Sequence, residues 1–196
     1  MATKMGRMDK QGVIVVSGLP RSGTSMMMQM LAAGGLPVLA DDVRGPDLDN
    51  PRGYFEFNPV RRTAQDARWL SGAPGKAVKV IHLLLPALPN DYAYRVLFVL
   101  RDMRQVLASQ EAMLRRLGRR GADLTSRQLA EVFAGQLRLV RKWLAVQSNV
   151  AALDVDYQGV IDNPTSQAAQ VNQFLGGHLD EARMAAVVDP SLYRQR

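Results

Sequence analysis

Two glycines bracket an arginine and a serine in Gly18-Leu-Pro-Arg-Ser-Gly23, and Thr24-Ser25 follow directly. The spacing is that of a nucleotide-binding P-loop, G-x-x-x-x-G-K-[ST], with Thr24 at the lysine position. Glycines let backbone N–H groups turn inward, and a helix starting near Thr24 aims its positive end at the same point. The result is an anion cradle. A P-loop lysine reaches the β- and γ-phosphates of a triphosphate. With threonine there, a shorter 5′-anion is the better match, and Arg21 supplies a cation at a different point of the loop.

A second anion-binding pair lies far along the chain. Arg95 to Leu100 (RVLFVL) reads as an apolar strand, Arg101 follows it, and Ser109 comes eight residues later in a helix. Eight helical residues are about 2.2 turns, so the serine returns toward the edge that carries the arginine. Arginine with a hydroxyl suits a monoester phosphate. The plainer reading of Arg101 is a surface ion pair with Asp102 or Glu111.

These residues need a frame. Gly12 to Ser17 (GVIVVS) is a valine-rich run suited to a strand buried on both faces. Thr24 to Ala33 reads as a helix ended by Gly34-Gly35. Its Met26, Met27, Met28 and Met30 suit adaptable core packing. Asp41 to Pro59 is a long loop, and loops of such length are usually functional. Val60 to Leu70 looks helical, Ala77 to His82 (AVKVIH) reads as a second strand, and Asp102 to Leu117 as a helix closed by Gly118. The clearest amphipathic helix spans Asp123 to Ser148. Thr125 and Gln128 form a capping box, and Leu129, Val132, Phe133, Leu137, Val140, Trp143 and Leu144 share one face. Ala151 to Val155 is a short strand, and Asn163-Pro164 starts a helix that ends at Gly176-Gly177. The alternation predicts an α/β fold: three α/β/α layers around a mainly parallel sheet, of the P-loop nucleotide-binding type. Ligands in such folds bind beyond the carboxyl ends of the strands.

The chain of 196 residues suits a single domain, with a flexible N-terminus (1–11) and a tail (180–196) to which the pattern assigns no element. With 47% hydrophobic and 22% charged residues it is an ordinary globular composition. It has no cysteine and two histidines, His82 and His178, which disfavours a thiolate or histidine metal site. The net charge of +7 favours anionic ligands. Arg115, Arg116, Arg119 and Arg120 gather at a helix C-terminus, where they suit the helix dipole or the attraction of an anionic acceptor. No apolar run approaches a membrane span, and the basic N-terminus lacks a signal-peptide core, so a cytoplasmic protein is expected.

SGLPRSGTS resembles the 5′-phosphosulfate loop of sulfotransferases that use 3′-phosphoadenosine-5′-phosphosulfate (PAPS), in the branch with a PRSGT loop. RVLFVLRDMRQVLAS, Arg95 to Ser109, is similar to that family's 3′-phosphate segment. Asp156-Tyr157 through Asn163-Pro164 resembles its third segment, a tyrosine, a short acidic loop and an X-Pro helix start. The likeness runs from about Val13 to Gly176; the family's late basic Arg-Lys-Gly element has no clear counterpart. The resemblance implies a sulfotransferase with PAPS as donor, PAP as product and no metal requirement. Pro20, Arg21, Ser22, Gly23, Thr24 and Ser25 would hold the 5′ end, Arg101 and Ser109 the 3′-phosphate, and Tyr157 would sit near the adenine.

Sulfuryl transfer needs a base on the acceptor and positive charge around the transferred group, a task open to Arg21. Glu56 in Gly53-Tyr-Phe-Glu-Phe57 ranks first as base, because PRSGT-type members commonly use a glutamate from this region. It also reads as a partner for Arg52 or Arg61. His82 ranks second; it resembles the histidine of a Lys-Thr-His pattern with one residue inserted, at an expected strand end. Lys79, three residues earlier, would face the opposite side. Asp41 and Asp42 are further candidates for acceptor binding. The expected partner is a small-molecule or glycan acceptor, with no nucleic acid and no membrane span, and with a homo-oligomer admitted. The alternatives are a small-metabolite kinase using ATP and magnesium, with Asp102 on the metal side, and a non-catalytic PAP- or nucleotide-binding protein.

Overall fold

The computed structural model describes residues 12–41, 43, 45–47 and 50–192. The expected flexible N-terminus (1–11), Asp42 and the end of the tail (193–196) lie outside the described residues. Five strands form one parallel sheet: β1 (Val13–Gly18), β2 (Val38–Leu39), β3 (Ala77–Lys79), β4 (Tyr94–Leu100) and β5 (Val150–Asp156). Their order is β2-β3-β1-β4-β5. The chain leaves central β1 to build one side, then returns to β4 on the other. That reversal opens a crevice at the carboxyl ends of β1 and its neighbours, where open α/β sheets bind ligands.

Both faces of the sheet are covered, which is why β1 is fully buried and apolar from Val13 to Val16. Ile14 and Val16 point to one face, where they meet α1 (Thr24–Ala33), α4 (Tyr157–Asp162), α5 (Pro164–Leu175) and α6 (Glu181–Ala186). Val13 and Val15 point to the other and meet α3 (Ser126–Val146) through Val140 and Leu144. α2 (Met103–Arg116) packs on α3 through Val106 and Phe133, with Leu19 of the glycine loop between them. Met27, Met28 and Met30 of α1 are completely buried, at about 1.5–3 kcal/mol of apolar transfer each. Among the described residues no helix is long and apolar enough to cross a membrane.

The expected α1 has the observed bounds, Thr24–Ala33. α3 begins after the Thr125–Gln128 capping box, with both of its hydrogen bonds formed, although Val132 is left 43% exposed. α5 begins at Pro164 behind Asn163, whose side chain accepts from the Ser166 N–H at 3.2 Å.

Four local expectations need correction. The run Val60 to Leu70 is not one helix but parts of two 3-10 turns, Asn58–Arg62 and Arg68–Gly72. Between them Asp66 accepts from the backbone N–H of Arg68 at 3.1 Å, a side-chain bond that competes with helix propagation. The second strand stops at Lys79; the Val80 N–H makes a last bond to the Val16 carbonyl at 3.0 Å. A 3-10 turn, His82–Ala87, follows, and its three-residue period buries His82, Leu85 and then Leu88. The acidic loop after Tyr157 is helical, because Asp156 caps α4 through the Gly159 N–H at 2.9 Å. The tail holds α6, capped by Asp180 and anchored by fully buried Met184. The two-residue β2 is too short for any pattern to announce it.

Candidate functional site

The glycine loop leaves β1 at Gly18, and β4 runs alongside in register, with Gly18 opposite Val99. Arg101 therefore emerges one step beyond the same edge. Its Nη1 donates to the Arg21 carbonyl at 3.0 Å, and its Nε donates to Gln105 Oε1 at 3.1 Å. The guanidinium lies 4.3 Å from the centre of the Tyr157 ring, a cation–π contact. Two segments eighty positions apart thus meet directly.

Two glycines permit this closeness. Gly23 sits at φ 105°, and a Cβ there would come 2.3 Å from Tyr157 Cδ2. Gly18 sits at φ 153°, and a Cβ would come 2.6 Å from the Val99 carbonyl oxygen. Arg21 between them has φ 69°, an uncommon conformation for a residue with a side chain. It sends the guanidinium toward α2, where Nε donates to Ser109 Oγ at 3.0 Å and Nη1 lies 4.0 Å from Met113 Sδ. Arg21 and Ser109, which the resemblance assigns to opposite ends of a ligand, are hydrogen-bonded to each other.

The Ser25 hydroxyl that follows the loop faces another cation. Lys79, at the end of β3, donates from Nζ to Ser25 Oγ at 3.2 Å and to the Tyr54 carbonyl. Ser25 Oγ in turn donates to that carbonyl at 3.2 Å. Ser22 is 1% exposed, and its Oγ has no hydrogen-bond partner. That hydroxyl lies against Gly18, where a Cβ would come 2.6 Å from it, and Ser22 does not line the cleft. The N-terminus of α1 points its unpaired N–H groups at the cleft floor. Pro20, Gly23 and Thr24 complete this floor.

Above the floor the cleft measures about 630 Å³. Phe57, Val60, Ile81, Leu83 and Leu84 form an apolar wall, with Ile81 and Leu83 about half exposed at the mouth. Glu56 lines the cleft, and its Oε2 accepts from Arg61 Nη2 at 3.0 Å. Across the mouth Arg52 donates to the Val187 carbonyl and to Asp189 Oδ2, the latter at 3.1 Å. The Ser191 hydroxyl, at 2.6 Å, and its backbone N–H hold the Asp189 carboxyl below the usual range, with Arg52 adding to the effect.

His82 and Asp41 stand elsewhere. His82 is buried under its 3-10 turn, with Nε2 3.0 Å from Gln136 Oε1 on α3, and it does not line the cleft. The expected strand end that would have aimed it at the crevice does not exist. Asp41 organises its own loop, accepting from the Asn58 N–H at 2.5 Å and the Val43 N–H at 3.3 Å. Lys79 and Arg116 line the cleft although sequence reasoning gave them little weight. The signal for Lys79 was present: it ends a parallel strand beside β1. Among the described residues no group of three or more His, Asp or Glu side chains is placed to hold a metal ion.

Chemically, the cleft offers a glycine-loop cradle beside Lys79, a second cationic cluster at Arg21, Arg101 and Ser109, and a carboxylate on the opposite wall. A family model described as a sulfotransferase domain matches residues 11–195. Among solved structures the chain is similar to the sulfotransferase domain of the olefin synthase of Synechococcus PCC 7002, at 17% identity and a TM-score of 0.53, covering 94% of this chain and 87% of that one. It is similar to the sulfotransferase domain from the curacin biosynthetic pathway at 16% identity and a TM-score of 0.52, covering 93% and 89%. It is also similar to retinol dehydratase in complex with androsterone and inactive cofactor PAP, at 18% identity and a TM-score of 0.52, covering 89% of this chain. The chain spans 62% of the length of that retinol dehydratase. At these identities the likeness is one of fold. A search of curated protein sequences finds no match. The match over residues 11–195, on a parallel sheet with this glycine loop, shows that the chain belongs to the sulfotransferase domain family.

Proposed function

We propose that the protein transfers a sulfuryl group from PAPS to a hydroxyl or amine of a small-molecule acceptor. The observation that carries this reading is the direct contact of Arg101 with the glycine loop, which gives one cleft two anion-binding ends. The start of α1 at the cleft floor, with Gly23, Thr24 and Ser25 lining it, supports a phosphate-type ligand on the loop. The complex of retinol dehydratase with PAP supports the same donor class on this fold.

In this reading the backbone N–H groups of Gly23, Thr24 and Ser25 and the hydroxyls of Thr24 and Ser25 hold the 5′ end, with Pro20 shaping the turn. Ser22 donates its N–H to the Leu19 carbonyl at 3.1 Å and holds the loop's shape. Lys79 supplies the positive charge there, the task first given to Arg21. Arg21, Arg101 and Ser109 together hold the 3′-phosphate. Tyr157 supports the Arg101 guanidinium and serves it rather than the adenine. Bound in this cleft, PAPS would supply an activated sulfuryl group. Glu56 would accept the proton that the acceptor hydroxyl or amine gives up as the sulfuryl group passes to it, the sulfur–oxygen bond to PAP breaking and PAP leaving, and Arg61 fixes the orientation of the Glu56 carboxylate. His82 takes no part. The apolar wall favours an uncharged, largely apolar acceptor over an extended glycan.

The kinase alternative loses its metal-side acid. Asp102 is the N-cap of α2 and accepts from the N–H groups of Arg104 at 2.9 Å and Gln105 at 3.2 Å. Thermal-shift titration with PAP, AMP, ADP and ATP tests the reading. The largest stabilisation is expected with PAP. Magnesium-dependent stabilisation by ATP that PAP cannot displace would overturn it.

A further inference from the structure

One face of α2 borders the cleft along most of its length. Gln105 accepts from Arg101 Nε at 3.1 Å, Ser109 accepts from Arg21 Nε at 3.0 Å, and Met113 lies under Arg21 Nη1. Arg116 continues this stripe and lines the cleft with Ser109 and Met113. Seven residues turn an α-helix by almost two full turns, so Arg116 lies within about 20° of the Ser109 meridian and about 10.5 Å further along. Helical side chains lean toward the N-terminus of their helix, which directs Arg116 back toward Ser109. Arg115 lies about 120° away and does not line the cleft.

The basic last turn of α2 therefore divides in two. Both arginines are exposed and answer the negative end of the helix dipole, but only Arg116 also lines the cleft. It shares that cleft with Arg21 and Arg101, which use N–H groups on the protein. Arg101 uses Nε and Nη1 on Gln105 and the Arg21 carbonyl, and Arg21 uses Nε on Ser109. A monoester phosphate near neutral pH carries close to two charges and several acceptor lone pairs. Two partly committed guanidiniums and one hydroxyl leave room for a further donor.

We infer that Arg116 is a third cationic ligand of the donor's 3′-phosphate and a determinant of selectivity for 3′-phosphorylated nucleotides. The inference rests on the PAPS reading above.

Isothermal titration of the full chain with PAP and with AMP, which lacks the 3′-phosphate, separates the two. For the wild type, PAP is expected to bind more tightly than AMP. Arg116→Ala is expected to weaken PAP by about tenfold, the scale of one charge-assisted hydrogen bond, and to leave AMP within about twofold. Arg116→Lys should restore part of the PAP affinity, and Arg115→Ala should change neither ligand. Unaltered PAP affinity in Arg116→Ala overturns the inference, as does equal weakening of PAP and AMP, which marks a purely structural effect. A wild type that binds AMP as tightly as PAP overturns the donor reading itself, and this assignment with it.

Discussion

Single side chains decide whether the cleft grips a ligand or only encloses one. Arg101 does three things at once: it bonds the loop carbonyl of Arg21, bonds Gln105, and lies over Tyr157. Its removal takes a cation from the proposed phosphate site and also strips the loop of a brace. Arg101→Ala is expected to lower PAP affinity by about ten- to a hundredfold, from the worth of hydrogen bonds to charged groups. Calorimetric affinity equal to wild type would contradict the assignment. Glu56 acts at a different step. Its carboxylate sits on the cleft wall with Arg61. Glu56→Gln keeps the shape and removes the base. Turnover is expected to fall by about a hundredfold or more, the range of general base catalysis, with PAP affinity unchanged. Wild-type turnover in that variant would remove Glu56 from the chemistry.

The elements divide into those that announce themselves locally and those fixed by their neighbours. α3 is of the first kind. The Gln128 N–H donates to Thr125 Oγ1 at 3.2 Å, and the Thr125 N–H donates to Gln128 Oε1 at 2.9 Å. Thr125→Ala removes half of that exchange and is expected to cost about 1 kcal/mol, or about 2–4 °C in Tm for a chain this size. An unchanged thermal midpoint would show that tertiary packing alone fixes where α3 starts. β1 and α1 were legible for the same reason: an apolar run, a glycine loop and a closing glycine pair are all local signals. The end of β3 was not. Its apolar pattern runs on through Val80 and Ile81 without a turn residue, and the strand ends because its last sheet bond goes to Val16. His82 was misplaced with it, and Lys79, read by alternation against His82, was undervalued. The meeting of Arg101 with the loop was legible, because adjacent parallel strands bring their carboxyl ends together. The swing of Arg21 toward Ser109 was not, since it depends on a left-handed backbone at a residue that rarely adopts one.

At the scale of the molecule, the cleft is closed by parts of the chain that are distant in sequence. Arg52 in the long loop reaches Val187 and Asp189, 135 and 137 residues away, just beyond α6. α6 is anchored in the core by Met184, so this bridge ties the mouth of the cleft to the rigid frame. Its charged half depends on pH in a definite direction. The bonds from Ser191, then Arg52, lower the Asp189 pKa in the fold. A depressed folded pKa gives a contribution that is fully present above the unfolded carboxylate value and is lost as pH falls through the folded one. Asp189→Asn keeps the shape and an acceptor for Ser191 but removes the charge. At neutral pH the variant is expected to melt only slightly below wild type, because Arg52 and Asp189 are 40% and 33% exposed and such pairs contribute little. The gap should close as the pH drops below the ordinary carboxylate range, where the wild type loses the same charge. The functional effect should exceed the thermal one: a loosened mouth raises the KM for the acceptor and leaves PAP affinity intact, because the donor groups sit on the floor. A melting gap that widens in acid, or a loss of PAP affinity equal to the loss for acceptor, would show that the bridge does not act as a wall of the acceptor side.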